Sequence, residues 1–215
     1  MRTAIGIPPE LARRANRVLR PRDAAEVYAH PRAELARLAR NHAAVPLATG
    51  YYALAPMNRL GDPVWTPALD AVGLGIAQAD YGVDAAAIVS VSAARRHGAI
   101  PRAIAVAVIA VPNQRAPLET RFGRIVFTKR DTSALDLQRV TTELCEGWVT
   151  TPEQTMLDLA ARPDLGGLPR IQIDEAIRIL THQADHELVE ELAITQHHPS
   201  ALRSIKALLA EDGRA

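Results

Sequence analysis

The sequence predicts an α+β fold in two modules: a small basic one over residues 1–60, then a mixed α/β one over residues 61–215 with a small sheet and C-terminal helices. Three observations carry that reading. Proline-bounded helical stretches fill the chain up to Pro46 and are followed by a hairpin pattern. Two apolar, β-rich runs, at 102–111 and 123–128, mark a sheet further on. Charge divides the chain near the same boundary. Residues 1–59 hold ten Arg and no Lys against Glu10, Asp23, Glu26 and Glu34, a formal +6, whereas the remainder carries −5.

In the first module, Pro8-Pro9 opens a helix at little cost, because the missing proline N–H would be unpaired there anyway. Leu11, Ala15, Val18 and Leu19 then fall on one helical face, and Pro21 stops the run. Asp23 caps a second short helix over 24–29, ended by His30-Pro31. Pro31 starts a third helix, through His42. Its apolar face is Leu35, Leu38 and Ala39, and its polar face is Arg32, Arg37, Arg40 and Asn41. Pro46 breaks the chain. The stretch LATGYYAL (47–54) reads as a hairpin with Thr49-Gly50 as its turn and Tyr51-Tyr52 as strand formers.

Three short helices and a hairpin predict a winged helix-turn-helix, whose third helix enters a DNA major groove while the hairpin lies over the flanking backbone. Arginine suits both tasks, since its planar fork pairs guanine edges or phosphate oxygens. On this reading Arg32, Arg37, Arg40 and Asn41 face the bases. Arg13 and Arg14 contact phosphates, and the Tyr51 hydroxyl supports the backbone contact. The same helix face also fits an ordinary solvated surface, and the charge split also fits chance clustering. The His30-Pro31 turn is shorter than the usual turn of about 3–4 residues.

The second module opens after a polar linker, RLGDP (59–63). Helices are predicted at 66–79, 83–96, 152–161, 171–182, 185–195 and 199–211. Gly98 ends the second of these and Thr151 caps the third. Strands are predicted at 102–111 and 123–128, with a third near Trp148-Val149, and 112–123 and 163–169 read as loops. Most apolar strands and helices lie here, so this module is expected to fold alone.

Composition excludes several classes. Hydrophobic residues make up 48% and charged residues 23%, which excludes a mostly disordered chain. No apolar run reaches about 18 residues, so no membrane partner is expected. The N-terminal stretch lacks a secretory pattern, and a cytoplasmic protein is the expectation. Cys145 is the only cysteine, which excludes an internal disulfide framework and a cysteine-rich zinc site.

Enzyme-like features are sparse. His182 and His186 stand four apart, with Glu190 and His197-His198 nearby, a set that suits zinc if the helix is continuous and a solvated polar face if not. Ser90, Ser92 and His97 suggest nucleophilic chemistry, but no GxSxG surrounds the serines. Gly73-Leu74-Gly75 follows no strand and reads as close helix packing rather than a nucleotide loop. Cys145 near Trp148 reads as a core thiol. Thr151-Pro152-Glu153 heads a helix whose free N–H groups suit an anion or a cap. No catalytic group, cofactor or metal is expected.

Several segments in order resemble the AbiEi-type antitoxins of type IV toxin–antitoxin systems. They are LATGYYAL; VSVSAARRHGAI; IAVAVIAVP followed by GRIVFTKRD; and VTTPEQTMLDLAARPDLGG, spread over residues 31–167. The resemblance implies a winged helix joined to an antitoxin domain. It further implies a non-enzymatic protein that counters a cognate nucleotidyltransferase-like toxin and represses its own operon by binding operator DNA. Binding-only neutralisation without DNA recognition, or a metal-dependent enzyme using the His-rich tail, are the alternatives.

Overall fold

The computed structural model describes residues 6–212; Arg2, one of the arginines counted above, lies outside them. The described chain is α+β, with eight α-helices and nine strands in two sheets. The first sixty residues form α1 (Pro9–Ala12), β1 (Val18–Leu19), a 3-10 turn (Pro21–Ala24), α2 (Pro31–Arg40), β2 (Ala44–Ala48) and β3 (Tyr51–Leu54). The three strands make an antiparallel sheet in the order β1-β3-β2.

Two of the three expected helices change here. The first stops at Ala12, and Val18-Leu19 is a strand paired with Ala53 and Tyr52. The reason is two-sided burial. Val18 packs into one core, with α3 (Leu69–Tyr81), while Leu19 packs into the small core beneath α2. Alternate residues facing opposite layers require period two, which a helix cannot supply. The second expected helix, 24–29, is replaced by the 3-10 turn. Pro21 starts this element rather than stopping one, and Asp23 closes it by accepting from the Arg20 N–H at 2.8 Å. Pro46 does not break the chain either. It sits in β2, an edge strand of this sheet, where its missing N–H costs little. The hairpin turn is as expected, with Gly50 at φ +82°.

The second module has six strands: β4 (Ala87–Ile88), β5 (Val106–Val111), β6 (Leu118–Thr120), β7 (Gly123–Lys129), β8 (Leu137–Thr141) and β9 (Glu146–Thr150). They are ordered β6-β7-β5-β4-β9-β8. The β5/β7 and β4/β9 pairs are parallel and the others antiparallel. The helix expected at 83–96 shrinks to α4 (Ser90–Arg96), because 87–88 is a central strand. Ala86 to Ala94 is buried throughout, Ser90 and Ser92 included, so no exposed residue marks its period. The expected loop at 112–123 contains β6. The single strand expected near Trp148 is half of a hairpin. Its turn is closed by Thr142 Oγ1, which accepts from the Cys145 N–H at 2.9 Å and donates to the Cys145 carbonyl at 2.8 Å.

Helices α5 (Pro152–Ala161), α6 (Arg170–Thr181), α7 (His186–Thr195) and α8 (Pro199–Asp212) follow within a few residues of expectation. Thr151 caps α5, accepting from the Gln154 N–H, and Asp185 caps α7. The sheet is thus covered by α3 on one face and by α4–α8 on the other. Glycines let α3 approach closely. A Cβ on Gly73 would lie 2.9 Å from Ile109, and one on Gly75 would collide with Val18. The core under α3 includes Val18, Leu47 and Ala53, so apolar packing continues across the 60/61 boundary.

Candidate nucleic-acid interface

Helix α2 and the β2-β3 hairpin run back alongside each other, which brings the amino-terminal end of α2 level with the hairpin tip. Between them, and bounded by the 3-10 turn, lies a cleft of about 1130 Å³. Arg22, His30, Arg32, Gly50 and Tyr51 border it, and Asp80 of α3 reaches it too. Pro31 opens α2 with no side-chain cap, so the free N–H groups of its first turn face the same space and add partial positive charge. Arg22 is exposed, 4.0 Å from Asp23. Arg32 is exposed and makes no hydrogen bond or ion pair among the described residues. The cleft is therefore cationic at its mouth.

The structure separates the seven residues singled out from sequence. Arg32 and Tyr51 border the cleft, and the others do not. Arg37 is exposed on α2 but engaged by Glu34, through Nε at 2.9 Å and Nη2 at 2.8 Å. Arg40 is exposed and unpaired at the carboxyl end of α2, beside His42, Pro46 and Trp65. Asn41 caps the helix, its amide donating to the Arg37 carbonyl at 2.7 Å. Arg13 and Arg14 are exposed just beyond α1. On α2 the exposed face reads Arg32, Ala33, Ala36, Arg37, Arg40, two small residues between arginines.

The Tyr51 hydroxyl is not free. It donates to Asp80 Oδ2 at 2.7 Å. Burial, reinforced by Asp80, raises its pKa above the ordinary tyrosine value, so it stays a proton donor. Arg20 and Arg115 converge on the same carboxylate, at 2.5 and 2.7 Å. Arg20 also pairs with Asp23 at 3.0 Å. Burial alone would lower the Arg20 pKa, but the hydrogen bonds and charges of Asp23 and Asp80 outweigh it and raise it. Sequence reading missed Arg20, Arg22, His30, Asp80 and Arg115. The Arg20-Pro-Arg-Asp run was visible, but nothing in the sequence places Asp80 and Arg115 beside it.

The other sequence candidates do not assemble. His182 follows the end of α6 and His186 opens α7, so they share no continuous helix. Among the described residues no group of three or more His, Cys, Asp or Glu side chains stands ready to hold a metal ion. Ser92 Oγ accepts from the Val108 N–H at 2.8 Å, and His97 Nε2 lies 2.7 Å from the Thr150 carbonyl. Ser90 is 1% exposed at the strand-to-helix junction. No described helix is long and apolar enough to cross a membrane. No family model matches the chain, and no curated protein matches it.

Proposed function

We propose that the chain is a DNA-binding antitoxin of the AbiEi type. It counters a nucleotidyltransferase-like toxin and represses its own operon, acting by binding and not by catalysis. The observation that carries the DNA half is the cleft between the amino-terminal end of α2 and the hairpin tip, edged by Arg22 and Arg32. The order helix, strand, turn, helix, hairpin and the β1-β3-β2 sheet support a winged helix. In that arrangement a phosphate backbone lies in the cleft while the Arg32–Arg40 face of α2 enters the major groove. The antitoxin half rests on the ordered motif resemblance over residues 31–167. The experiment compares a duplex from the region upstream of the chain's own coding sequence with a scrambled duplex, over a salt series. Affinity for both should fall steeply with salt, with tighter binding to the upstream duplex. Arg32→Ala and Arg40→Ala should each lose about 1–3 kcal/mol on the upstream duplex if they read bases. Arg37→Ala should lose less, because Glu34 already engages that side chain. Wild-type binding by all three folded variants would remove α2 as the reading helix. Co-expression with the adjacent toxin tests the other half, and persistent growth arrest with soluble antitoxin would refute it.

A second reading is an antitoxin without DNA recognition. It is favoured by the 3-10 turn that stands where a helix-turn-helix has its second helix, and by the internal bonds of Asn41 and Tyr51. Equal, weak binding of both duplexes would select it.

A further inference from the structure

We infer that Asp80, a residue of the second module, is the positioning residue of the DNA-facing hairpin. The inference rests on the DNA-binding reading above. Tyr51 is the hairpin residue whose side chain is hydrogen-bonded among the described residues: its hydroxyl donates to Asp80 at 2.7 Å and meets the Arg115 guanidinium that Asp80 itself holds. Tyr51 directly follows Gly50 at the tip, so this bond fixes how far the tip stands from the amino-terminal end of α2, and hence the width of the cleft.

The carboxylate is itself held from three sides. Oδ1 accepts from Arg20 at 2.5 Å, and Oδ2 accepts from Arg115 at 2.7 Å as well as from Tyr51. These donors come from three separate segments: the exit of β1, the loop between β5 and β6, and the first residue of β3. Asp80 lies in the last turn of α3, where the helix carbonyls disfavour a negative charge, and the two guanidiniums offset that cost. The Arg115 guanidinium is stacked 4.2 Å above the Phe127 ring, so its fork is fixed in direction. Arg20 is bound through its other nitrogens to Asp23, at 3.0 and 3.1 Å. With Asp23 and Asp80 both satisfied by guanidinium groups, Arg20 is a strut rather than a phosphate ligand.

Asp80 also brings a negative charge to a cationic cleft. Its two effects on DNA therefore have opposite signs and fall on different observables. Its charge weakens binding to any duplex, while its bond to Tyr51 sharpens the choice between duplexes. The test uses the full chain, the upstream duplex and the scrambled duplex. Asp80→Ala, which removes both acceptor oxygens and the charge, should reduce the affinity ratio of the two by about tenfold, while binding to the scrambled duplex holds or tightens. Tyr51→Phe keeps the ring and the Asp80 charge but loses the bond. It should reduce the ratio similarly, with no tightening on the scrambled duplex. In both variants the amides of residues 49–52 should exchange faster with solvent than in wild type, with circular dichroism unchanged. If the wild type favours the upstream duplex and folded Tyr51→Phe keeps both its ratio and its exchange rates, Asp80 does not position the hairpin, and the DNA-binding reading stands. If the wild type does not distinguish the duplexes, the DNA-binding reading falls and takes this inference with it.

Discussion

The clearest test of how the two halves of the chain join is a double substitution at Val18 and Gly75. Val18 is fully buried against α3, where Gly75 leaves no room for a Cβ. Val18→Ala removes two buried methyl groups, about 1.6 kcal/mol of transfer free energy, and the unfilled space raises the cost to about 2 kcal/mol. Gly75→Ala gains about 1 kcal/mol of helix propensity. It also forces a methyl group into Val18 and to 3.3 Å from Asn16 Oδ1, an overpacking of about 1–3 kcal/mol, for a net loss of about 1 kcal/mol. In the double variant the new methyl occupies the space the valine vacates, and the loss should be only about 0.6 kcal/mol, the transfer term less the helix gain. The singles would sum to about 3 kcal/mol, so the coupling is about 2 kcal/mol in the stabilising direction. Urea unfolding followed by circular dichroism measures all three variants against wild type. Additivity to within about 0.5 kcal/mol would mean that the segments do not touch, and the shared core would be refuted.

Further outcomes follow from the same packing and chemistry. Residues 61–215 expressed alone should unfold at lower denaturant than the intact chain, because the α3 surface that packs on Val18, Leu47 and Ala53 would be exposed; an equal midpoint would show that the module needs no cover. Burial pushes the Cys145 thiol up to about 11, so it should resist an aromatic disulfide reagent at pH 8 until the protein unfolds; prompt labelling of the native chain would contradict that. Burial tends to raise the Asp23 pKa, but hydrogen bonds from Arg20 and its charge lower it below 3.8. Its contribution to stability is therefore present above the ordinary carboxylate value and is lost as pH falls through the lower, folded one. Acid unfolding of Asp23→Asn should accordingly show a shallower loss below about pH 4; an identical acid limb would mean that the Arg20 bridge contributes nothing to folding.

Elements whose limits are set by local chemistry were legible in the sequence. Pro31 at the first turn and the alternation of Leu35 and Leu38 with arginines define α2 to within two residues. The hydroxyl of Thr151 and the following proline define the start of α5, and the Thr49-Gly50 turn defines the hairpin. Elements whose form is dictated by distant partners were not. Residues 87–88 are a strand because β5 and β9 flank them, and β1 is a strand because β3 stands beside it. Nothing within either segment contradicts a helix, since apolar residues buried on every side leave no periodic pattern.

The same distinction separates the legible part of the site from the rest. Arg32 was found because a basic residue on a helix face is a local pattern, and it borders the cleft. Arg37 and Asn41 fit that pattern equally well, yet one is engaged by Glu34 and the other closes the helix end. Charge composition shows that cations are concentrated, not which of them are free. Of the ten arginines in the first module, Arg20 is neutralised by two carboxylates, one of them from α3. A formal charge of +6 therefore overstates the field at the cleft, and on the proposed function the salt dependence of DNA binding should report only the arginines that no carboxylate holds closely. Arg22, Arg32 and Arg40 have side chains exposed and weakly held or unpaired, while Arg20 and Arg37 do not. On the proposed function, substituting Arg22 should flatten the salt slope by about one unit, and substituting Arg20 should instead destabilise the hairpin and leave the slope nearly unchanged.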